Sequence, residues 1–129
     1  MVLVDTSSWI HFLRPDGDGV VRSRVDTALR AGTASWCALV RLELWNGARG
    51  EREKKVLREF ERLLPDLAIT DEVWSDACDL ARRCRADGVT VPATDLLIAA
   101  CARRHGARLE QADGDFDAIA RVVGGEAGA

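Results

Sequence analysis

Met1-Val2-Leu3-Val4-Asp5-Thr6-Ser7-Ser8-Trp9-Ile10-His11-Phe12-Leu13 is the stretch that decides the fold. A short β-type apolar run stops at an acid. Three hydroxyl residues of helix-capping type follow, and then an apolar helical segment closed by Arg14-Pro15-Asp16-Gly17. A strand running straight into a helix is the opening of an α/β unit. The same alternation continues downstream. Helices are expected over 20–30, 39–48, 51–64, 70–85 and 95–104, with brief strands over 33–36, 67–69 and 107–111. A last helical turn or two covers 116–123, and 124–129 reads as a frayed tail. Helix dominates, so the expected fold is α/β, a small central and mostly parallel sheet flanked by helices, in a single domain over 1–129.

Apolar spacing assigns the inward faces. The 51–64 segment places Val56, Leu57, Phe60, Leu63 and Leu64 on one side, and the 70–85 segment turns Val73, Trp74, Ala77, Ala81 and Cys84 inward. In the helix over 95–104, capped by Thr94, the inward stripe is Leu97, Ile98, Cys101 and Ala102. His105 and Gly106 close that helix, the glycine supplying the left-handed position.

Composition excludes several classes. The chain has 129 residues, 47% hydrophobic and 30% charged, which suits a folded domain and not a disordered one. No apolar run approaches the roughly 20 residues of a membrane span. Met1-Val2-Leu3-Val4-Asp5 carries no basic n-region or cleavage site of a signal peptide, so the expected compartment is the cytoplasm. Cys37, Cys78, Cys84 and Cys101 form no C-x-x-C pair and read as buried free thiols. With only His11 and His105, histidine-rich zinc sites and most Ser-His chemistry fall away.

Acids at four places stand apart from the solvated helix faces. Asp5 follows the opening strand, at the carboxyl end where α/β sheets build their sites, although it also suits a helix cap. Glu43 sits in Leu39-Val40-Arg41-Leu42-Glu43-Leu44-Trp45, apolar nearly all round, where a carboxylate needs a partner, a metal or a cavity. Arg41, two residues away, is on the wrong side to pair with it. Asp95 begins an apolar helix, where a first-turn acid is also favoured by the dipole. Asp113-Gly114-Asp115-Phe116-Asp117 puts three acids just past a strand end. An all-oxygen set of this kind suits Mg²⁺ or Mn²⁺, which can activate water and stabilise charge on a phosphoryl group.

Val4-Asp5-Thr6-Ser7-Ser8-Trp9-Ile10, Leu42-Glu43-Leu44, Val91-Pro92-Ala93-Thr94-Asp95-Leu96-Leu97-Ile98-Ala99-Ala100 and Asp113-Gly114-Asp115-Phe116-Asp117-Ala118-Ile119-Ala120, in that order, resemble the PIN domain. The likeness is to its VapC type, the toxin ribonucleases of bacterial toxin–antitoxin pairs, and it runs from Val2 to about Ala120. It implies an endoribonuclease that cleaves structured RNA, a tRNA or rRNA, through metal-activated water. Asp5, Glu43, Asp95 and Asp113 match the acidic positions that hold Mg²⁺ or Mn²⁺, with Asp115 as helper. Thr6 and Ser8 match hydroxyl positions beside the first acid. A VapB-like antitoxin is the implied partner, received by the helices over 39–48 and 51–64, in a homodimer or a larger heterotetramer or hetero-octamer with no membrane attachment. The resemblance departs from the family after 120, where the final strand is short or absent.

Arginine makes up 16 of the 18 cations, and it binds phosphate in bidentate fashion. Arg14, Arg41, Arg49, Arg103 and Arg104 are candidate RNA-backbone contacts. The net charge of −3 looks unfavourable for RNA, but removing the four site acids from 21 leaves 17 carboxylates against those 18 cations. Other classes compete. A haloacid-dehalogenase-type phosphatase wants an acid where Ser7 stands. A metal-free ribonuclease needs His11 and His105 face to face, and a non-catalytic binding module would use Asp5 only as a cap.

Overall fold

The computed structural model describes residues 1–127. In chain order these form β1 (Val2–Val4), α1 (Thr6–Leu13), α2 (Gly19–Arg30), β2 (Ala34–Ser35), α3 (Ala38–Asn46), α4 (Gly50–Leu63), α5 (Asp71–Ala86), α6 (Ala93–Arg104), β3 (Arg108–Glu110) and α7 (Gly114–Ala127). The three strands make one parallel sheet in the order β2-β1-β3. Val2 pairs with Ala34 on one side and Arg108 on the other, so the first strand is central and buried throughout. The ladder continues one step past β1, where the Asp5 N–H donates to the Glu110 carbonyl at 2.9 Å. That bond fixes Asp5 against the end of β3.

Parallel neighbours require crossovers, and the helices that make them bury both faces of the sheet. An aromatic cluster joins α1, the residue just past β2 and α4. Trp9 and Trp36 are fully buried, and the Phe60 ring lies 4.9 Å from Trp9 and 6.2 Å from Trp36. Helix α6 is buried continuously from Asp95 to Ala102, not along a single stripe, because α5 and α7 pack on it as well as the sheet. The Ala-rich sequence of α6 permits that close approach.

Several sequence-based expectations need correction. Residues 67–69 form no strand; parallel pairing there shrinks to one bridge between Trp36 and Asp66. The carbonyls of Leu67 and Ala68 turn instead toward the Cys101 thiol and the His105 ring. Trp74 and Leu63 point outward, with Leu80 and Leu57 taking the buried positions on their helices. Cys78 is exposed, while Cys37, Cys84 and Cys101 are buried. Pro92, not Thr94, caps α6. The stretch expected to fray from Gly124 continues as helix to Ala127, and 128–129 lie outside the described residues. Gly106 has the expected positive φ of 63°. No helix among the described residues is long and apolar enough to cross a membrane.

Candidate active site

The carboxyl end of the sheet is where four elements meet: the β1–α1 corner, α3, the start of α6 and the β3–α7 loop. Asp5 forms the corner. It caps α1, its Oδ2 accepting the Ser7 N–H at 3.1 Å and the Ser7 hydroxyl at 2.7 Å. The cap does not take Asp5 away from the acids, since the Asp113 charge still acts on it. Asp5 is 3% exposed. Burial pushes its pKa up against the pull of the Ser7 hydrogen bonds, and the Asp113 charge adds to the rise.

Thr6, the next residue, reaches the other way. Its hydroxyl donates to Glu43 Oε1 at 2.8 Å, tying α3 to the first turn of α1. Glu43 is half-buried on α3, which is less apolar all round than its sequence implies, since Leu42 faces solvent. Arg41 pairs with Asp66 and not with Glu43. The Ser8 hydroxyl is buried without a hydrogen-bond partner among the described residues. The bond to Asp5 comes from Ser7, one residue earlier.

Asp95, Asp113 and Asp115 form the tightest group. Each offers a carboxylate oxygen within 4.8 Å of the other two. The loop that carries the latter pair is braced from within. The Asp113 N–H donates to Gln111 Oε1 at 2.8 Å, Asp113 Oδ1 accepts the Asp115 N–H at 2.9 Å, and Gln111 Nε2 donates to Asp117 at 3.0 Å. Asp95 lies in the first turn of α6, where the helix dipole favours a carboxylate. Burial outweighs the dipole, and with the charges of Asp113, Asp5 and Asp115 it pushes the Asp95 pKa up to about 7. Asp95 Oδ2 is buried and has no hydrogen-bond partner among the described residues. Three converging carboxylates around an orphaned oxygen fit a hard divalent cation, which would neutralise the mutual repulsion and complete the bonding of that atom.

The repulsion has a measurable consequence. A carboxyl whose folded-state pKa stands above its unfolded value holds its proton more tightly when folded. The stability it contributes is full below pH about 4 and lost as pH rises through about 7. In EDTA, the melting temperature of the wild-type protein should therefore fall between these limits. The Asp95→Asn variant should show a visibly shallower fall in the same thermal-melt series.

Glu110, at the end of β3, escaped the sequence reading. It is 5% exposed and bonds Arg24 Nε of α2 at 2.9 Å. This pairing across 86 positions leaves no local signal in the sequence. The candidate RNA-binding arginines separate into groups. Arg14 and Arg49 line a groove of about 270 Å³ between α1 and the α3–α4 pair, with Glu43 in its wall and Ile10, Leu13 and Leu44 as apolar lining. Within it Arg14 pairs with Glu53 at 3.0 Å. Arg103 and Arg104 lie away from the site, since Arg104 is about 13 Å along the α6 axis from Asp95 and pairs with Asp76 through two bonds. The two histidines are separately engaged, His11 by the Asp18 N–H and His105 by the Ala68 carbonyl, which removes the His–His ribonuclease alternative.

Comparison with known proteins agrees with this geometry. The family model of the PIN domain matches residues 2–122. Ribonuclease VapC11 of Mycobacterium tuberculosis is 35% identical over 126 residues, 95% of this chain and 94% of the relative. Among solved structures, FitAcB from Neisseria gonorrhoeae superposes with a TM-score of 0.68 at 24% identity, covering 92% of this chain and 93% of that one. VapBC-1 from nontypeable Haemophilus influenzae superposes with a TM-score of 0.71 at 19% identity, covering 94% of each chain. Sequence match, strand order and the acidic cluster at the end of the sheet converge on one conclusion: the chain belongs to the PIN domain family.

Proposed function

We propose that this protein is the VapC-type toxin of a toxin–antitoxin pair, an endoribonuclease dependent on Mg²⁺ or Mn²⁺ and acting on structured RNA in the cytoplasm as a single domain. The observation that carries the reading is the convergence of Asp95, Asp113 and Asp115 around the orphaned Asp95 oxygen. The relatives named as ribonucleases, which match across nearly the whole chain, support it.

In this reading Asp5, Glu43, Asp95 and Asp113 hold the cation, and Asp115, whose carboxylate converges with those of Asp95 and Asp113, joins them from the same loop. Bound there, the cation supplies Lewis acidity toward a phosphodiester and lowers the pKa of water. The protein's own contribution is placement. Ser7 and Thr6 fix the Asp5 and Glu43 carboxylates. The Gln111 brace holds the Asp113 loop, and the buried setting of Asp95 strengthens its attraction for a cation. Ser8 is a supporting hydroxyl beneath the corner.

Arg49 makes no ion pair among the described residues and is the best placed of the arginines for an RNA phosphate, with Arg14 beside it in the groove, while Arg41 lies outside the groove and pairs with Asp66. The same groove, apolar inside with charged rims, suits a segment of a VapB-like antitoxin. Solved structures of the same fold described as VapBC and FitAB support such a partner; a homodimer at the centre of the assembly is part of the proposal. Cleavage of a structured RNA by the purified protein tests the reading. It should require Mg²⁺ or Mn²⁺, stop in excess EDTA and resume when the cation is restored. Full activity in EDTA would sink it.

A further inference from the structure

Three consecutive hydroxyl residues follow Asp5, and they do different things. Thr6 bonds Glu43, Ser8 has no partner among the described residues, and only Ser7 touches two elements of the acidic site. An N-cap carboxylate needs one backbone N–H from the first turn, and Asp5 has it from Ser7 at 3.1 Å. The Ser7 hydroxyl adds a second bond to the same Oδ2, at 2.7 Å, so two donors from one residue fix the plane of the carboxylate. A hydroxyl has one proton to give and lone pairs to receive. With its proton on Asp5, Ser7 Oγ accepts the Ala112 N–H at 3.1 Å, from a residue 105 positions away. Helix α1 has no use for that bond. Its beneficiary is the β3–α7 loop, because Ala112 directly precedes Asp113.

We propose, resting on the metal reading above, that Ser7 is a positioning residue that locks the Asp5 corner to the Asp113 loop, so that the carboxylates from β1 and from the β3–α7 loop stand in one arrangement before a cation arrives. The loop's internal bonds, through Gln111 and Asp117, shape it without attaching it to the corner. Attachment on this side of the site runs through the Asp5–Glu110 backbone bond and through Ser7. Of these two, only the Ser7 bridge acts beyond the end of the strand. Partners that orient metal ligands in this way are worth about 10–100-fold in metal affinity.

The test uses the full chain as wild type, Ser7→Ala, Ser7→Thr and Asp95→Asn. Mn²⁺ affinity is read by calorimetric titration, and hydrogen exchange at the Ala112 amide is read in metal-free protein. Ser7→Ala should keep the wild-type far-UV spectrum, bind Mn²⁺ about 10–100-fold more weakly and exchange the Ala112 amide faster. Ser7→Thr, which retains the hydroxyl, should restore both readouts, an outcome that a general loss of stability would not produce. Wild-type Mn²⁺ affinity in Ser7→Ala, unchanged Ala112 exchange, or a Thr variant as weak as the Ala variant would each overturn the role of Ser7. Those results leave the metal reading intact as long as the wild type binds Mn²⁺ and Asp95→Asn does not. A wild type that binds no Mn²⁺ overturns the metal reading and the role of Ser7 within it.

Discussion

Replacing Asp95 with asparagine should lower RNA cleavage by about 10³-fold or more while leaving the fold intact. A ligand carboxylate supplies part of the charge that holds the cation, and the cation contributes several kcal/mol toward a phosphoryl transition state. Each 1.36 kcal/mol lost is a factor of ten in rate. The amide keeps the shape of the side chain but not its charge. It also relieves the repulsion from Asp113, Asp5 and Asp115 that raises the Asp95 pKa, so the metal-free variant should melt no lower than wild type at pH 8. Loss of activity without loss of stability separates a ligand from a structural acid. A single-turnover cleavage assay in saturating Mg²⁺, with a melt of the same preparation, reads both quantities. Wild-type cleavage by Asp95→Asn would remove Asp95 from the site.

The second large effect is on stability. Trp9 is fully buried two positions beyond Ser7, with Phe60 at 4.9 Å and Phe12 at 6.1 Å. Trp9→Ala removes the side chain that seats α1 against α4 and leaves a cavity in the aromatic cluster. Truncations of this kind cost about 3–5 kcal/mol, or roughly 10–20 °C in melting temperature for a chain of this size. That is a large share of the typical stability of a domain, about 5–15 kcal/mol. Trp9→Phe should lose much less. It keeps most of the apolar volume and discards an indole N–H that has no hydrogen-bond partner among the described residues. Denaturant midpoints should fall slightly below the wild type for Phe and far below it for Ala. Equal losses would mean that the cluster is not what holds α1.

What the sequence reveals and what it hides divide along physical lines. The strand–acid–helix opening is legible because a buried parallel strand has a local composition and its carboxyl end a fixed role. Asp5, Asp95 and the Asp113–Asp115 pair therefore come out at the right end of the right elements. Ser7 is hidden among three adjacent hydroxyls. Which of them reaches Asp5 and which Glu43 depends on the rotation of one helical turn, and composition does not encode that. Glu110 is hidden because its partner, Arg24, is 86 positions away. Trp74 misleads because a large apolar residue on an amphipathic helix is assigned inward by default, whereas α5 buries Leu80 and leaves Trp74 in solvent. The 67–69 segment misleads for the opposite reason. Its apolar residues are strand-like, but the pairing edge beside β2 is only one bridge long.

Crystals soaked in Mn²⁺ and examined by anomalous diffraction test the central claim most directly. The expected result is a manganese peak in ligand contact with the carboxylates of Asp95, Asp113 and Asp115 at the carboxyl end of the sheet, absent from crystals of Asp95→Asn. A saturating soak that leaves those carboxylates without a peak would contradict it.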